Sequence, residues 1–386
     1  MNFKTFNSAN TILGENALKY LNDIEEKRIA IVMGGRSQQN IIDDIISDLK
    51  KSGKESKVVA NIKNEPSMGD IVQPLKNVMN FKPDCILALG GGSVIDSAKA
   101  LWIFYEYPDL KWEDVLLPNP VPVLGNKARL IAVPTTSGTG SETTSCAVMV
   151  EEEIQEKRLI ISQNIIPSLC ILDDELVCTM PNHVAANSGM DAFTHSLEAG
   201  VNKANNPLVQ RIALTAILDI FKYLPISVNE NPGTEKFKEA RGRIQLASYL
   251  SGVAINNSGT GLAHTFDQIG PKLNIPHGLT CAVLLPYTVE FIGDHPFYKE
   301  LGEIFGYKEG PESSGKFLSE KIIELNKSIG IPECFGKMNI NEKDYLEAMK
   351  EAVYSGMNSG GLGFAPKIPT YDEAELFMSE AYYGRR

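Results

Sequence analysis

CILALGGGSVIDSAK, residues 85–99, reads as a buried strand, a glycine turn and the first turns of a helix. Cys85 to Leu89 is an unbroken apolar run, as a parallel strand needs when both of its faces are covered. The glycines that follow let the backbone come close to a pyrophosphate, and the N–H groups and dipole of the new helix favour its negative charge. Gly91, Gly92 and Ser93 are therefore candidate phosphate contacts, although the turn is not G-x-G-x-x-G. Ser93 and Asp96 also fit a helix capping box. Lys99, one turn further on, reads either as a phosphate partner or as a solvated lysine.

The same strand, turn and helix order recurs on both sides of this segment. KRIAIVMGG (27–35) is a strand run ending in glycines, followed by the helical QNIIDDIISDLKKSG (39–53). ESKVVANI (55–62) and RLIAVPTT (129–136) are further strands, with a helix candidate in GDIVQPLKNVMNF (69–81). Strands alternating with helices imply right-handed crossovers and an α/β, doubly wound parallel sheet. After about residue 180 the pattern becomes all-α: LVQRIALTAILDIFKYL (208–224), EKFKEARGRIQLASYLSGVAI (235–255) and SGKFLSEKIIELNKSI (314–329). The expected division is a dinucleotide-binding α/β domain over 1–180 and a helical metal-binding domain over 181–386, with the boundary at the PNH turn.

Composition narrows the function. The net charge is −11 with no dense basic run, which argues against nucleic acid. Hydrophobic content of 43% and charged content of 22% suit a globular chain. No apolar stretch approaches the length needed to span a bilayer, and MNFKTFNSAN has no signal-peptide pattern. None of the six cysteines forms a C-x-x-C pair, so a cysteine-ligated zinc site is not expected and a reducing cytoplasm fits.

A second loop strengthens the nucleotide reading. RLIAVPTTSGTGSETT (129–144) carries seven hydroxyls from Thr135 to Thr144 directly after a strand. Loops at the carboxyl ends of neighbouring strands converge where doubly wound sheets bind ligands, and hydroxyl donors there suit phosphate, ribose and the nicotinamide amide. The turn MGGRSQQ, with Gly34, Gly35, Arg36 and Ser37, lacks the acid that would accept from a ribose 2′-OH. It leans to NADP(H) over NAD(H).

GMDAFTHSLEA (189–199) places Asp191 four residues before His195, on one helix face. Alone, such a pair is more often a salt bridge than a metal site. His264 in GLAHTFDQ and His277 in NIPHG could complete a site of one oxygen and three nitrogens, a donor set suited to Fe²⁺ or Zn²⁺. His183 and His295 read as structural or surface residues.

In combination and in order, GGGSVIDSAK, PTTSGTGSE, GMDAFTHSLEA and GLAH…IPHG resemble the iron-dependent (group III) alcohol dehydrogenase family. The resemblance runs from FNSANTILGENAL to PTYDEAELFMSEAYYG. It implies a dehydroquinate synthase-like fold and metal ligation by Asp191, His195, His264 and His277. It also implies Gly91, Gly92, Ser93, Thr135, Thr136, Thr144 and Lys157 near the cofactor, and a homodimer. The activity implied is hydride transfer between a small primary alcohol or aldehyde and a nicotinamide, with the metal (Fe²⁺, or Zn²⁺ or Mn²⁺) polarising the carbonyl. Butanal, lactaldehyde and sulfonated or phosphonated acetaldehydes all fit that chemistry. A dehydroquinate-synthase-like, metal- and NAD-dependent lyase is the alternative, with a ligand set resembling Glu-His-His. One departure stands out: many relatives carry a second histidine four residues after the third ligand. Here that place holds Gln268, or Asp267 with the register slipped by one, and these two are the expected neighbours of the substrate's proton route.

Overall fold

The computed structural model describes residues 6–35, 39–63, 66–153 and 156–385. The chain divides into two compact units, Phe6–Met180 and the residues from Pro181 onward.

The first unit is built on a six-stranded parallel sheet. Its strands are β1 (Asn10–Leu13), β2 (Arg28–Gly34), β3 (Glu55–Ile62), β4 (Cys85–Gly90), β5 (Arg129–Pro134) and β8 (Leu169–Leu172). They lie in the order β1-β8-β5-β4-β2-β3. Helices α1 (Gln39–Lys51), α2 (Val72–Phe81) and α3 (Gly92–Glu106) make the crossovers, and two short helices follow, α4 (Trp112–Val115) and α5 (Asp174–Cys178). The two-residue period of a strand decides which helix each side chain meets. Ala30, Val32, Ile86, Ala88, Leu130 and Ala132 join Val78 of α2 and Val94 and Leu101 of α3 in one core. Ile29, Ile31, Met33, Leu87, Leu89 and Val133 join Ile42, Ile45 and Leu49 of α1 in the other. Both faces are covered, so these strands read as continuous apolar runs.

The four strands expected from the sequence are all present. Four more are not among those expected: β1 and β8, each four residues long, and the antiparallel ribbon of β6 (Cys146–Glu151) and β7 (Glu156–Ile161). NTIL and LCIL are too short to show any period, and EKRLII carries its charges on a strand with only one buried residue, Ile160.

The second unit has no strand among its described residues. It begins with three long helices, α6 (Asn182–Val201), α7 (Pro207–Asn229) and α8 (Glu235–Asn256). The short α9 (Leu262–Phe266) and α10 (Ile269–Lys272) precede α11 (His277–Ile292). Helices α12 (Pro296–Ile304), α13 (Ser314–Ser328), α14 (Glu342–Met357) and α15 (Tyr371–Tyr383) complete the unit. One expectation is corrected: α7 is long and apolar enough to cross a membrane by length and composition. Its Val209, Ala213, Ala216, Ile217, Ile220 and Leu224 are nevertheless buried as one stripe, and it packs on α6 and α8, as a core helix does.

Candidate active site

In the first unit the chain leaves β2 for the edge strand β3 and returns as β4 on the other side of β2. The strand order therefore reverses between β2 and β4, where open α/β sheets bind ligands at the carboxyl ends of their strands. Met33 pairs with Leu89, so the turns after the two strands lie level. Gly34 ends β2, and Gly35 is left-handed at φ 61°. Arg36 and Ser37, the other candidates at this turn, lie outside the described residues.

After β4, Gly91 caps α3, whose first-turn N–H groups at Gly92 and Ser93 have no carbonyl within the helix to bond. Here the glycines are required by a neighbour. A Cβ on Gly91 would lie 3.0 Å from Thr136 Oγ1, and one on Gly92 2.8 Å from Thr139 Oγ1. The glycine turn and the hydroxyl loop after β5 are thus in contact, and Thr135 N–H donates to Gly90 O at 3.0 Å. The buried Ser137 hydroxyl in the same loop has no hydrogen-bond partner among the described residues.

Lys99 is neither a phosphate partner nor solvated, and this corrects both readings. Its side chain is fully buried, and Nζ donates to Cys146 O (2.6 Å), Thr144 O (2.9 Å), Thr144 Oγ1 (3.2 Å) and Ser141 Oγ (3.2 Å). Asp96 does not close a capping box with Ser93. Its carboxylate accepts from the Ser141 hydroxyl and from Val148 N–H (3.0 Å), and lies 3.8 Å from Lys99 Nζ. Burial raises the Asp96 carboxyl and lowers the Lys99 ammonium, each opposed by the other's charge. These residues, with Thr144, brace the hydroxyl loop from behind. Lys157 lies half-buried on β7 opposite Val150, in the two-stranded ribbon.

The second unit brings the four candidate ligands together. Asp191 Oδ1 lies 3.3 Å from His277 Nε2, 3.5 Å from His264 Nε2 and 3.8 Å from His195 Nε2. All four ligand atoms lie within 4.8 Å of one another. The edge of a tetrahedron with metal–ligand bonds of about 2.1 Å is about 3.4 Å, so one cation fits their centre. Asp191 Oδ1 and His264 Nε2 are buried with no hydrogen-bond partner among the described residues. A buried carboxylate oxygen without a donor is costly unless a cation meets it.

Local sequence explains the convergence. Asp191 and His195 are one turn apart on α6, and the His195 and His264 rings stack at 4.5 Å. Gly278 lets α11 close on α6, since a Cβ there would lie 2.3 Å from Asn187 O and 3.2 Å from Asp191 Cβ. That contact seats His277 beside Asp191. The side chain of His277 is 30% exposed against 2% for Asp191, so the site opens on the His277 side.

Electrostatics follow the packing. Burial works to raise the Asp191 carboxyl, but the imidazoles of His195, His277 and His264 crowded around it hold it well below its ordinary value. Burial pushes His195 down to about 4 against the pull of Asp191, leaving its imidazole neutral and able to ligate.

Two carboxylates stand behind the imidazoles. Glu198 Oε2 is 2.6 Å from His264 Nδ1, and Asp267 Oδ2 is 2.7 Å from His277 Nδ1. The Asp267 carboxylate therefore faces the back of a ligand, where a substrate neighbour had been expected. Gln268, half-buried, caps α10. Glu198 was missed from sequence, yet it had a signal: it follows Asp191 by seven residues and His195 by three, on the same helix face. His183 lies near the start of α6, and His295 Nδ1 caps α12 by accepting from Phe297 N–H at 3.2 Å.

Known proteins show the same organisation. The family model described as iron-containing alcohol dehydrogenase matches residues 8–174, and that for the family's C-terminal region matches 185–375. An NADPH-dependent butanol dehydrogenase from Clostridium saccharobutylicum is 32% identical over 377 residues, covering 96% of both chains. An alcohol dehydrogenase from Thermococcus barophilus is 32% identical over 385 residues, covering 96% of this chain and 97% of its own. Among solved structures, the iron-containing alcohol dehydrogenase from Thermococcus thioreducens superposes with a TM-score of 0.90 at 31% identity, over 99% of this chain and 100% of the other.

Proposed function

Because the chain belongs to the iron-containing alcohol dehydrogenase family, whose members interconvert alcohols and aldehydes with iron and a nicotinamide dinucleotide, we propose a finer reading: a small primary alcohol or its aldehyde as substrate and NADP(H) as the preferred cofactor. The observation that carries the metal-dependent chemistry is the meeting of three imidazole Nε2 atoms on the partnerless, buried Asp191 Oδ1. Two features support NADP(H): the sequence Gly34-Gly35-Arg36-Ser37 at the end of β2 carries no acid, and one relative is an NADPH-dependent butanol dehydrogenase.

Asp191, His195, His264 and His277 would hold the cation, which when bound would supply Lewis acidity toward a carbonyl oxygen, while a bound dinucleotide would supply the hydride. The protein's own part is charge and placement. Asp191 brings one negative charge into a buried site, and neutral His195 adds a lone pair without adding charge. The exposed edge of His277 leaves room for a small substrate. In the first unit, Gly91, Gly92 and Ser93 offer main-chain donors for a pyrophosphate, while Thr135, Thr136 and Ser137 offer hydroxyls.

The test is anaerobic oxidation of NADPH, and separately of NADH, with short aldehydes that include butanal, lactaldehyde and sulfoacetaldehyde. The metal-stripped protein is reloaded with Fe²⁺, Zn²⁺ or Mn²⁺, and the Asp191→Ala variant is run alongside. Turnover that needs the metal, is faster with NADPH and is lost in the variant is expected. Equal rates with and without metal would sink the proposal.

A further inference from the structure

Two of the three segments that deliver a candidate metal ligand to this site also deliver a carboxylate to the back of the next one. Helix α6 carries Asp191, His195 and then Glu198, which faces His264 Nδ1 at 2.6 Å. The α9 segment carries His264 and then Asp267, which faces His277 Nδ1 at 2.7 Å. Helix α11 begins with His277, whose Nε2 returns to Asp191 at 3.3 Å. The circuit closes on the residue where it began.

We propose that Glu198 and Asp267 are positioning residues that fix the tautomer and ring plane of His264 and His277, and so set the affinity and geometry of the metal site. The proposal rests on the metal reading given above. A neutral imidazole has one N–H and one lone pair, and either nitrogen can carry the proton. A carboxylate at Nδ1 takes the N–H and leaves the Nε2 lone pair facing inward, while its negative charge raises the basicity of that ligand.

Glu198 is itself held in place. Oε1 accepts from Ala263 N–H at 2.7 Å, and Oε2 accepts from Gly261 N–H at 2.8 Å. Gly261 makes this approach available, since a Cβ there would lie 3.0 Å from Glu198 Cγ. The Glu198 side chain is buried, at 6% exposed. That of Asp267 is equally buried at 6%, in the turn between α9 and α10. Its Oδ2 pairs with the His277 ring at 2.7 Å, although Nδ1 is not aligned for a hydrogen bond with it, and we assign Asp267 to holding that ring rather than to the substrate's proton.

The experiment uses the full chain, stripped of metal and titrated with Co²⁺ against a competing chelator, with the visible absorption of bound Co²⁺ as a second reading. Glu198→Gln and Asp267→Asn keep the side-chain shape and remove the charge. Each is expected to weaken Co²⁺ binding by about 10- to 100-fold and to shift the visible bands, with the melting temperature of the metal-free protein little changed. Asp267→Glu returns a carboxylate and is expected to recover part of the affinity, which also keeps the test open if Glu198→Gln fails to fold. Wild-type affinity and bands in Asp267→Asn overturn the proposal, as does a variant that melts lower but binds Co²⁺ normally. A wild-type protein that binds no Co²⁺ overturns the metal reading and this proposal with it.

Discussion

The two units handle charge in opposite ways. In the α/β unit the groups placed for a ligand are main-chain N–H groups and hydroxyls, while Lys99 and Asp96 are turned inward and satisfied by the protein. In the helical unit the ionisable side chains are themselves the candidate site, and Asp191 Oδ1 and His264 Nε2 lack hydrogen-bond partners among the described residues. An anion is met by the dipoles of a helix start, so charged residues there are free to become struts. A small dication needs lone pairs at fixed distances, which only side chains from several segments supply. A charged residue in a conserved-looking motif thus means different things in the two units.

The largest expected effect tests the cation side. Asp191→Ala removes the one anionic ligand and leaves three imidazoles converging on nothing. Metal should be lost on dialysis, and metal-dependent turnover should fall on the order of a thousandfold or more, about 4 kcal/mol of transition-state stabilisation. Metal content by elemental analysis and single-turnover rates check this. Dinucleotide binding should be unchanged, because Asp191 belongs to the other unit.

Lys99→Met is the counterpart on the anion side. Removing a buried ammonium leaves Thr144 O and Cys146 O without their donor and Asp96 without its cation, a loss of about 3 kcal/mol. The hydroxyl loop loses its brace, so the KM for the dinucleotide should rise at least about tenfold, with metal affinity untouched. If Lys99 instead met phosphate directly, the KM would rise with no loss of stability. Thermal melts run beside steady-state kinetics separate the two outcomes.

How far the sequence could be read follows the same division. The sheet was legible because β2, β4 and β5 are covered on both faces, which leaves uninterrupted apolar runs. β1 and β8 are only four residues long and left no pattern. The candidate metal ligands could be picked out because the chain has only five histidines, and the fold brings three of them together with Asp191. The backs of those ligands were harder. Asp267 lies ten residues before the histidine it faces and Glu198 sixty-six before its own, so neither pairing is visible to local spacing. Lys99 was misread for a related reason. Its partners lie 42 to 47 residues away on a loop and a strand whose packing only the fold reveals.

The buried Glu142 sharpens the contrast with pH. Burial raises its carboxyl from 4.5 to about 7, partly offset by a main-chain hydrogen bond and by Lys99. A folded-state value above the unfolded one means stability is intact below pH 4.5 and is lost as pH rises toward 7, because the unfolded chain ionises first. Glu142→Gln lacks this loss. Its stability relative to wild type should therefore grow between pH 4.5 and 7.5, by up to about 3 kcal/mol. Denaturant melts at several pH values measure the difference, and a flat one would remove Glu142 from the set of strained buried charges.

The smallest expected effect is the most discriminating, because its two parts have opposite signs. Ser137 is 1% exposed and its hydroxyl has no hydrogen-bond partner among the described residues. Leaving a buried hydroxyl unpaired costs about 1 kcal/mol or more, so Ser137→Ala should leave the free protein as stable as wild type or up to about 1 kcal/mol more stable. If the hydroxyl is kept for the dinucleotide, the same change should weaken cofactor binding several-fold, since a single neutral hydrogen bond contributes about 1 kcal/mol. A gain in melting temperature with a weaker dinucleotide Kd would place in the α/β unit the same device found at Asp191: a polar atom that the fold leaves unpaired until a ligand arrives. A gain in stability with unchanged Kd would mean that the loop binds through its main chain alone, and that partnerless polar atoms set for a ligand are confined to the helical unit.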